Sequence, residues 1–186
     1  KFTSDPNFDS PHLLNDYLEI FSSEAKQFLR QFRETYSYID IVSKLQKFNN
    51  QKVLVIGDAI VDEYHYVAPL GQAGKGFHLA VKYDSVERFA GGSLAVANHI
   101  AGFAKEVTLV AGLGKNDGYV DFVRDGLHER VNPNLILTDQ SPTIVKRRYV
   151  DFDMNKLFEV YFYNEDPPSE DFEKQVCPWL EQHVAE

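Results

Sequence analysis

The stretch VLVIGDAIVDEY, residues 53–64, decides the fold. Its first four residues form an unbroken apolar run, the pattern of a strand buried on both faces. Gly57 breaks the run, and two carboxylates, Asp58 and Asp62, follow at once. Open α/β sheets bind ligands beyond the carboxyl ends of their strands, so these acids stand where a ligand is expected. A polyol needs fixed acceptors for its hydroxyls, and a pair of aspartates can supply them. The other reading of the same residues is structural: Asp58 caps local N–H groups in the strand-to-loop turn and Asp62 is merely exposed.

Outward from this run the chain alternates. Strands are predicted at 53–57, 107–111 and 135–138, with helices from Ser93 to about Phe103 and from about Gly118 to Glu129. That order implies a parallel sheet with right-handed crossovers. Residues 64–90 and 143–163 do not fit the alternation. Both are β-rich, and the second has a turn near Asp153–Asn155. They read as antiparallel strands outside the parallel core, a small β lid built from two separated insertions. Ser169–Val184 is a predicted helix with Phe172, Val176 and Leu180 on one face. Three core strands and a last helix are small for a doubly wound domain, so a longer protein is expected.

Ahead of Lys52 the period is helical. Ser10 and Pro11 open it, and Leu14, Leu18, Phe21, Ala25, Phe28 and Phe32 recur at spacings of four and three. After a break at Tyr36–Tyr38 a second stripe, Ile41, Leu45 and Phe48, runs to Asn49–Asn50. Residues 1–50 are therefore read as a helical extension that docks on the main domain or on a partner, and 51–186 as the α/β domain.

The net charge of −9 excludes a nucleic-acid backbone as partner, since such binding needs clustered cations. Lys146-Arg147-Arg148 is too short a run to reverse this. No stretch approaches the roughly 20 apolar residues of a membrane span, and Lys1–Asp9 is not a signal peptide. The single Cys177, read as a structural thiol, cannot form an internal disulfide. A cytoplasmic protein is expected, without nucleic acid or membrane as partner. The six histidines show no metal spacing.

Three further segments carry chemistry or mimic it. Gly91-Gly92-Ser93 precedes a helix, so it either lets a ligand approach the backbone or packs strand on helix with Ser93 as cap. Residues 112–118, GLGKNDG, resemble a dinucleotide phosphate loop, with Asp139 where a ribose-binding acid would sit. Asp117 would place a negative charge among the amides a pyrophosphate needs, and favours a turn and helix cap. Lys146 and Arg148 share one face of a predicted strand while Arg147 points the other way. That face either holds a substrate phosphate or is solvated.

Together, VLVIGDAIVDEY at 53–64, FAGGSLAVANHIAGFA at 89–104, VTLVAGLGKNDGY at 107–119 and PTIVKRRYVDF at 142–152 resemble the amino-terminal half of ribokinase-like (PfkB) carbohydrate kinases. The likeness is greatest to the kinase half of the bifunctional heptose-7-phosphate kinase/ADP-heptose synthases of lipopolysaccharide assembly, and covers about residues 51–166. It implies a Rossmann-like domain with a β lid and a sugar held between the first strand's carboxylates, the diglycine and the lid. Asp62, Gly91 and Gly92 carry over as sugar contacts, Asp58 less directly, and Lys146 and Arg148 as lid contacts to a sugar phosphate. The resemblance also implies ATP with Mg²⁺ as donor in the intact protein and a homodimer through the lid. No catalytic residue is assigned: the family's base lies in a Gly-Ala-Gly-Asp segment absent from these 186 residues. No cofactor is expected on this fragment, which alone should be inactive.

Two positions depart from the pattern. Ala95 stands where the family has an Asn ligand, with Asn98 nearly a turn further on, and the lid reads LGQAGKGFHLAVK where heptose kinases are rich in Ser, Pro and acids. The alternative is a non-catalytic, dimerising scaffold module of a fused sugar nucleotidyltransferase. A nicotinamide-dependent oxidoreductase using the 112–118 loop is a third reading.

Overall fold

The computed structural model describes residues 21–74, 76–167 and 170–184. The chain divides into two compact units, Lys1–Lys47 and Phe48–Glu186.

The first unit contains α1 (Ser23–Thr35), and α2 (Tyr38–Phe48) runs from it to the boundary. Ser22 caps α1 by accepting from Ala25 N at 3.3 Å. Ser37 and Asp40 form a reciprocal cap for α2, with Ser37 N donating to Asp40 Oδ2 and Asp40 N donating to Ser37 Oγ. The chain is extended at Tyr36, where the sequence places the break. Phe28, Phe32 and Tyr36 line up along α1 with ring centroids 5.9 and 5.0 Å apart. The Ser10–Pro11 cap, Leu14 and Leu18 lie outside the described residues.

The second unit holds two sheets. Strands β1 (Lys52–Ile56), β4 (Glu106–Gly114) and β5 (Val131–Thr138) form a parallel sheet in the order β1-β4-β5. Alternation along β4 sends Val107, Leu109, Ala111 and Leu113 into one cluster and Val110 into another. Helix α3 (Ser93–Ala101) supplies Leu94, Ala97 and Ala101 to the first cluster, and α4 (Val120–Asp125) supplies Val123. Helix α5 (Glu170–His183) covers Val110 and Ile136 with Val176. Both faces of the sheet are thus covered, which is why its strands read as apolar runs.

The lid is a four-stranded sheet in the order β3-β2-β6-β7, made of β2 (Ala59–Gln72), β3 (Leu79–Gly92), β6 (Ile144–Val150) and β7 (Lys156–Phe162). Two expectations are corrected here. The lid, expected from residue 64, begins at Ala59, so Asp62 lies within its first strand. The central pair β2·β6 is parallel, not antiparallel, because both strands follow parallel core strands, β1 and β5, and leave the same end of the core sheet. The outer pairs are antiparallel as expected. The turn before β7 is built by Asp151, whose Oδ1 accepts from Asp153 N and Asn155 N at 3.0 and 2.8 Å.

The helix expected from Gly118 to Glu129 ends at Asp125, followed by Gly126. Asn98 is the reason: its Nδ2 donates to Gly126 O at 2.9 Å and its Oδ1 accepts from His128 N at 2.8 Å, drawing the chain toward β5. Asn98→Ala should cost about 1 kcal/mol in urea unfolding, the worth of such bonds, without altering ligand affinity. Cys177 is exposed rather than a core thiol, since Val176, Trp179 and Leu180 take the inward positions of α5.

Candidate functional site

Each face of the lid has its own chemistry, set by strand parity. On one face β2 presents Ile60, Asp62, Tyr64 and Tyr66. The register brings Ile60 opposite Gly91 and Ile144, Asp62 opposite Phe89 and Lys146, and Tyr64 opposite Glu87 and Arg148. Asp62 is wedged into this face. A Cβ at Gly91 would run into Asp62 Oδ2, so glycine is what leaves room for the carboxylate. On its other side Arg148 Nη1 donates to Asp62 Oδ1. The pair is mostly sheltered, at 24% exposure for Asp62 and 17% for Arg148, and the carboxylate beside it holds the guanidinium pKa above its ordinary value.

Gly92 serves the backbone. Its φ is +56°, and a Cβ there would lie 2.5 Å from Asp58 O. Ser93 is not a helix cap. Its hydroxyl donates to Gly57 O at 3.1 Å and Asp58 O at 2.9 Å, and its N–H donates to Asp58 O as well, tying the start of α3 to the end of β1.

A hollow of about 490 Å³ opens at the carboxyl ends of β1, β4 and β5, walled by Asp58, Gly112, Leu113, Thr138 and Ile144 and by Phe172 and Val176 of α5. Asp58 is exposed at this hollow and caps no turn N–H among the described residues. The predicted site residues therefore fall into two places. Asp62, Gly91, Lys146 and Arg148 gather on the lid face, and Asp58 belongs to the hollow. Ile144 joins them, since it lines the hollow and stands beside Ile60 on the face of Asp62. The twin glycines adjoin Asp62 and Asp58 within the lid strands rather than across a crevice.

The opposite lid face carries residues that the sequence reading missed. Glu63 is 1% exposed, at the parity of the buried Val61 and Val67. It accepts from Arg147 Nε at 2.7 Å, Arg88 Nε at 2.9 Å and the Tyr119 hydroxyl at 3.1 Å, and His65 Nε2 lies 3.0 Å away. Burial pushes its pKa up, and the bonds from His65, Arg88, Arg147 and Tyr119 outweigh that and lower it from 4.5 to about 2. One carboxylate thus ties β2, β3 and β6 to the loop that opens α4. An acid at the buried parity of a strand was the legible signal.

The 112–118 loop is a structural turn. Gly114 N donates to Thr143 Oγ1 at 3.0 Å, Asp117 Oδ2 accepts from Thr143 N at 2.7 Å, and Lys115 N donates to Thr138 O at 2.9 Å. Asp139 is taken by Lys115 Nζ and Asn116 Nδ2. The Gly114 and Lys115 amides are thus engaged within the protein, and the Asp117 carboxylate stands among them where a pyrophosphate would bring like charge, which favours the structural turn. No three metal-binding side chains converge among the described residues.

A parallel sheet covered on both faces, continued from the ends of its strands into a four-stranded lid, defines the class of the protein as α/β with a β lid. Within that class, the chain is 32% identical over 102 residues to the bifunctional protein HldE of Actinobacillus pleuropneumoniae serotype 5b, covering 55% of this chain and 22% of that protein. It is 32% identical over 123 residues to HldE of Haemophilus ducreyi, covering 63% and 26%. The chain thus matches about a quarter of the length of these curated relatives. Similar solved structures include a ribokinase from Thermotoga maritima, with 21% identity, a TM-score of 0.44 and coverage of 59% of this chain and 35% of that one. Another is a ribokinase from Cryptococcus neoformans in complex with ADP, with 16% identity, a TM-score of 0.45 and coverage of 64% and 38%. No protein-family model matches the chain.

Proposed function

We propose that this chain is the sugar-binding and lid portion of an ATP-dependent carbohydrate kinase, acting on a sugar phosphate in ADP-heptose and lipopolysaccharide precursor synthesis. The observation that carries the reading is Asp62, fitted against Gly91 and flanked by Lys146 and Arg148 on one sheltered lid face. There Asp62 accepts and orients an acceptor hydroxyl, Gly91 makes room for that carboxylate while Gly92 holds the backbone turn beside it, and the two cations hold the phosphate. Asp58 reaches the same ligand from the hollow. In the cytoplasm the intact protein uses ATP with Mg²⁺, bound outside this chain, and a base outside it removes the hydroxyl proton. Residues 1–50 are the helical extension and 51–186 the kinase portion.

A homodimer through the lid is part of this proposal. Edge strand β7 leaves Phe158, Val160, Tyr161 and Phe162 exposed, an apolar edge that a second lid would cover.

A second reading, the non-catalytic scaffold of a fused sugar nucleotidyltransferase, is favoured by one observation. Ala95 offers no hydroxyl ligand, and Asn98 is committed to Gly126 and His128. Calorimetry with a panel of sugar phosphates separates the two readings. Kinase ancestry in use predicts micromolar to millimolar acceptor binding, lost by about tenfold or more in Asp62→Ala, and the scaffold predicts no binding.

A further inference from the structure

Arg148 stands between two carboxylates. Its Nη1 donates to Asp62 Oδ1, its Nε lies 3.8 Å from Glu159 Oε1, and its guanidinium carbon is 5.3 Å from the Tyr64 ring centroid. Glu159 has donors of its own in Lys156 and the Tyr161 hydroxyl. Across the sheet Glu87 accepts from the Tyr66 hydroxyl at 2.7 Å. Lys146 differs from all of these. It is the register partner of Asp62, its Nζ lies 5.8 Å over the Tyr161 ring, and among the described residues it has no carboxylate partner.

This arrangement keeps Asp62 from its task. One carboxylate oxygen is engaged by Arg148 and the other faces the backbone at Gly91. A neutral polyol must displace a charge-assisted bond to use Oδ1. A phosphate changes the balance, because side chains at i and i+2 of a strand share a face about 7 Å apart and a dianion fits between two such cations. A guanidinium presents several donors in a fork matched to phosphate oxygens, so it can turn from a single carboxylate to the stronger acceptor. Glu159 remains near enough to offset part of its charge as it turns.

We propose that Arg148 is a specificity latch: a phosphate seated between Lys146 and Arg148 draws the guanidinium off Asp62, and the freed Oδ1 then accepts a sugar hydroxyl. The inference rests on the sugar-phosphate reading of this face and adds how the phosphate controls access to Asp62. Phosphate recognition and hydroxyl orientation become one event, and an unphosphorylated sugar of the same shape is refused because nothing opens the pair.

The test is calorimetry on the full chain with a heptose and the same heptose carrying a 7-phosphate, using wild type, Lys146→Gln and Arg148→Gln, with folding checked by circular dichroism. Lys146→Gln should weaken the phosphorylated sugar about tenfold. Arg148→Gln should weaken the phosphorylated sugar by about tenfold or more, yet strengthen the neutral sugar about threefold or more, because Asp62 is released. An Arg148→Gln protein that weakens both alike, or leaves neutral-sugar affinity where it was, overturns the latch while the site reading stands. Failure of the folded wild type to bind either sugar overturns both. Inorganic phosphate tests the first half alone: it should move the Arg148 Nε–Hε signal in nitrogen-15 spectra of wild type and much less in Lys146→Gln. An unmoved signal overturns the proposal.

Discussion

Glu63→Gln should lower the free energy of unfolding by about 3 kcal/mol at pH 7, read as a shifted urea midpoint with an unchanged slope. The reason is what the substitution leaves behind. Arg147 and Arg88 converge, with His65 beside them, on a carboxylate that is 1% exposed, and a neutral amide leaves two guanidiniums that have no other carboxylate partner among the described residues. Breaking a buried pair from one side costs more than the pair's net worth, because the partner's desolvation remains. Arg88→Ala is the control: its side chain is about half exposed, so water replaces much of the lost bond and the cost should stay near 1 kcal/mol or below.

The same group gives the acid limb its form. Because the Glu63 pKa falls from 4.5 to about 2 on folding, its stabilising contribution is complete above pH 4.5 and disappears as pH falls through about 2. A shift of that size corresponds to about 3 kcal/mol. The gap in stability between wild type and Glu63→Gln should therefore narrow steadily from pH 4.5 toward pH 2. A gap that stays constant over that range would show that the carboxylate's charge is not what holds the lid.

Replacing the twin glycines should separate stability from binding. In Gly92→Ala the new Cβ lies 2.5 Å from Asp58 O, a backbone atom that cannot step aside, at a φ of +56° that alanine tolerates poorly. A loss of about 2–4 kcal/mol in unfolding free energy is expected. In Gly91→Ala the Cβ meets only the Asp62 carboxylate, which can swing away if it gives up its position beside Arg148. Its stability cost should be smaller, about 1–2 kcal/mol, and its effect on sugar phosphate affinity larger, about tenfold or more. Thermal melts and calorimetry on the two variants decide it. The reverse ranking would place Gly91 in the framework and remove Asp62 from the ligand.

Much of the core was legible because its signals are local. An apolar run closed by Gly57, the Gly91-Gly92-Ser93 entrance to α3 and the run VTLVA at 107–111 each report on a few adjacent residues, and the structure has them as a strand, a helix start and a strand. The opposed parity of Lys146 and Arg148 against Arg147 was likewise readable from period two alone, and Arg147 does cross to Glu63 while Arg148 meets Asp62. Legibility failed where a distant partner set the outcome. α4 stops at Asp125 because Asn98, almost thirty residues earlier, holds Gly126 and His128. β5 begins at Val131, ahead of its apolar stretch, because β4 offers it a ladder from Val107 onward and Pro133 is tolerated on an edge strand.

The sequence by itself determined the α/β alternation, the two β-rich excursions and the shared face of Lys146 and Arg148, because hydrophobic period, glycine placement and charge are properties of neighbours along the chain. Only the tertiary structure decided that β2 and β6 run parallel, that Asp62 is held by Arg148 while Asp58 stands apart in a hollow, and that Glu63 ties three lid strands to Tyr119. Those outcomes depend on which strand ends meet and which charges share a buried face, and the partners are separated by up to 86 residues of chain.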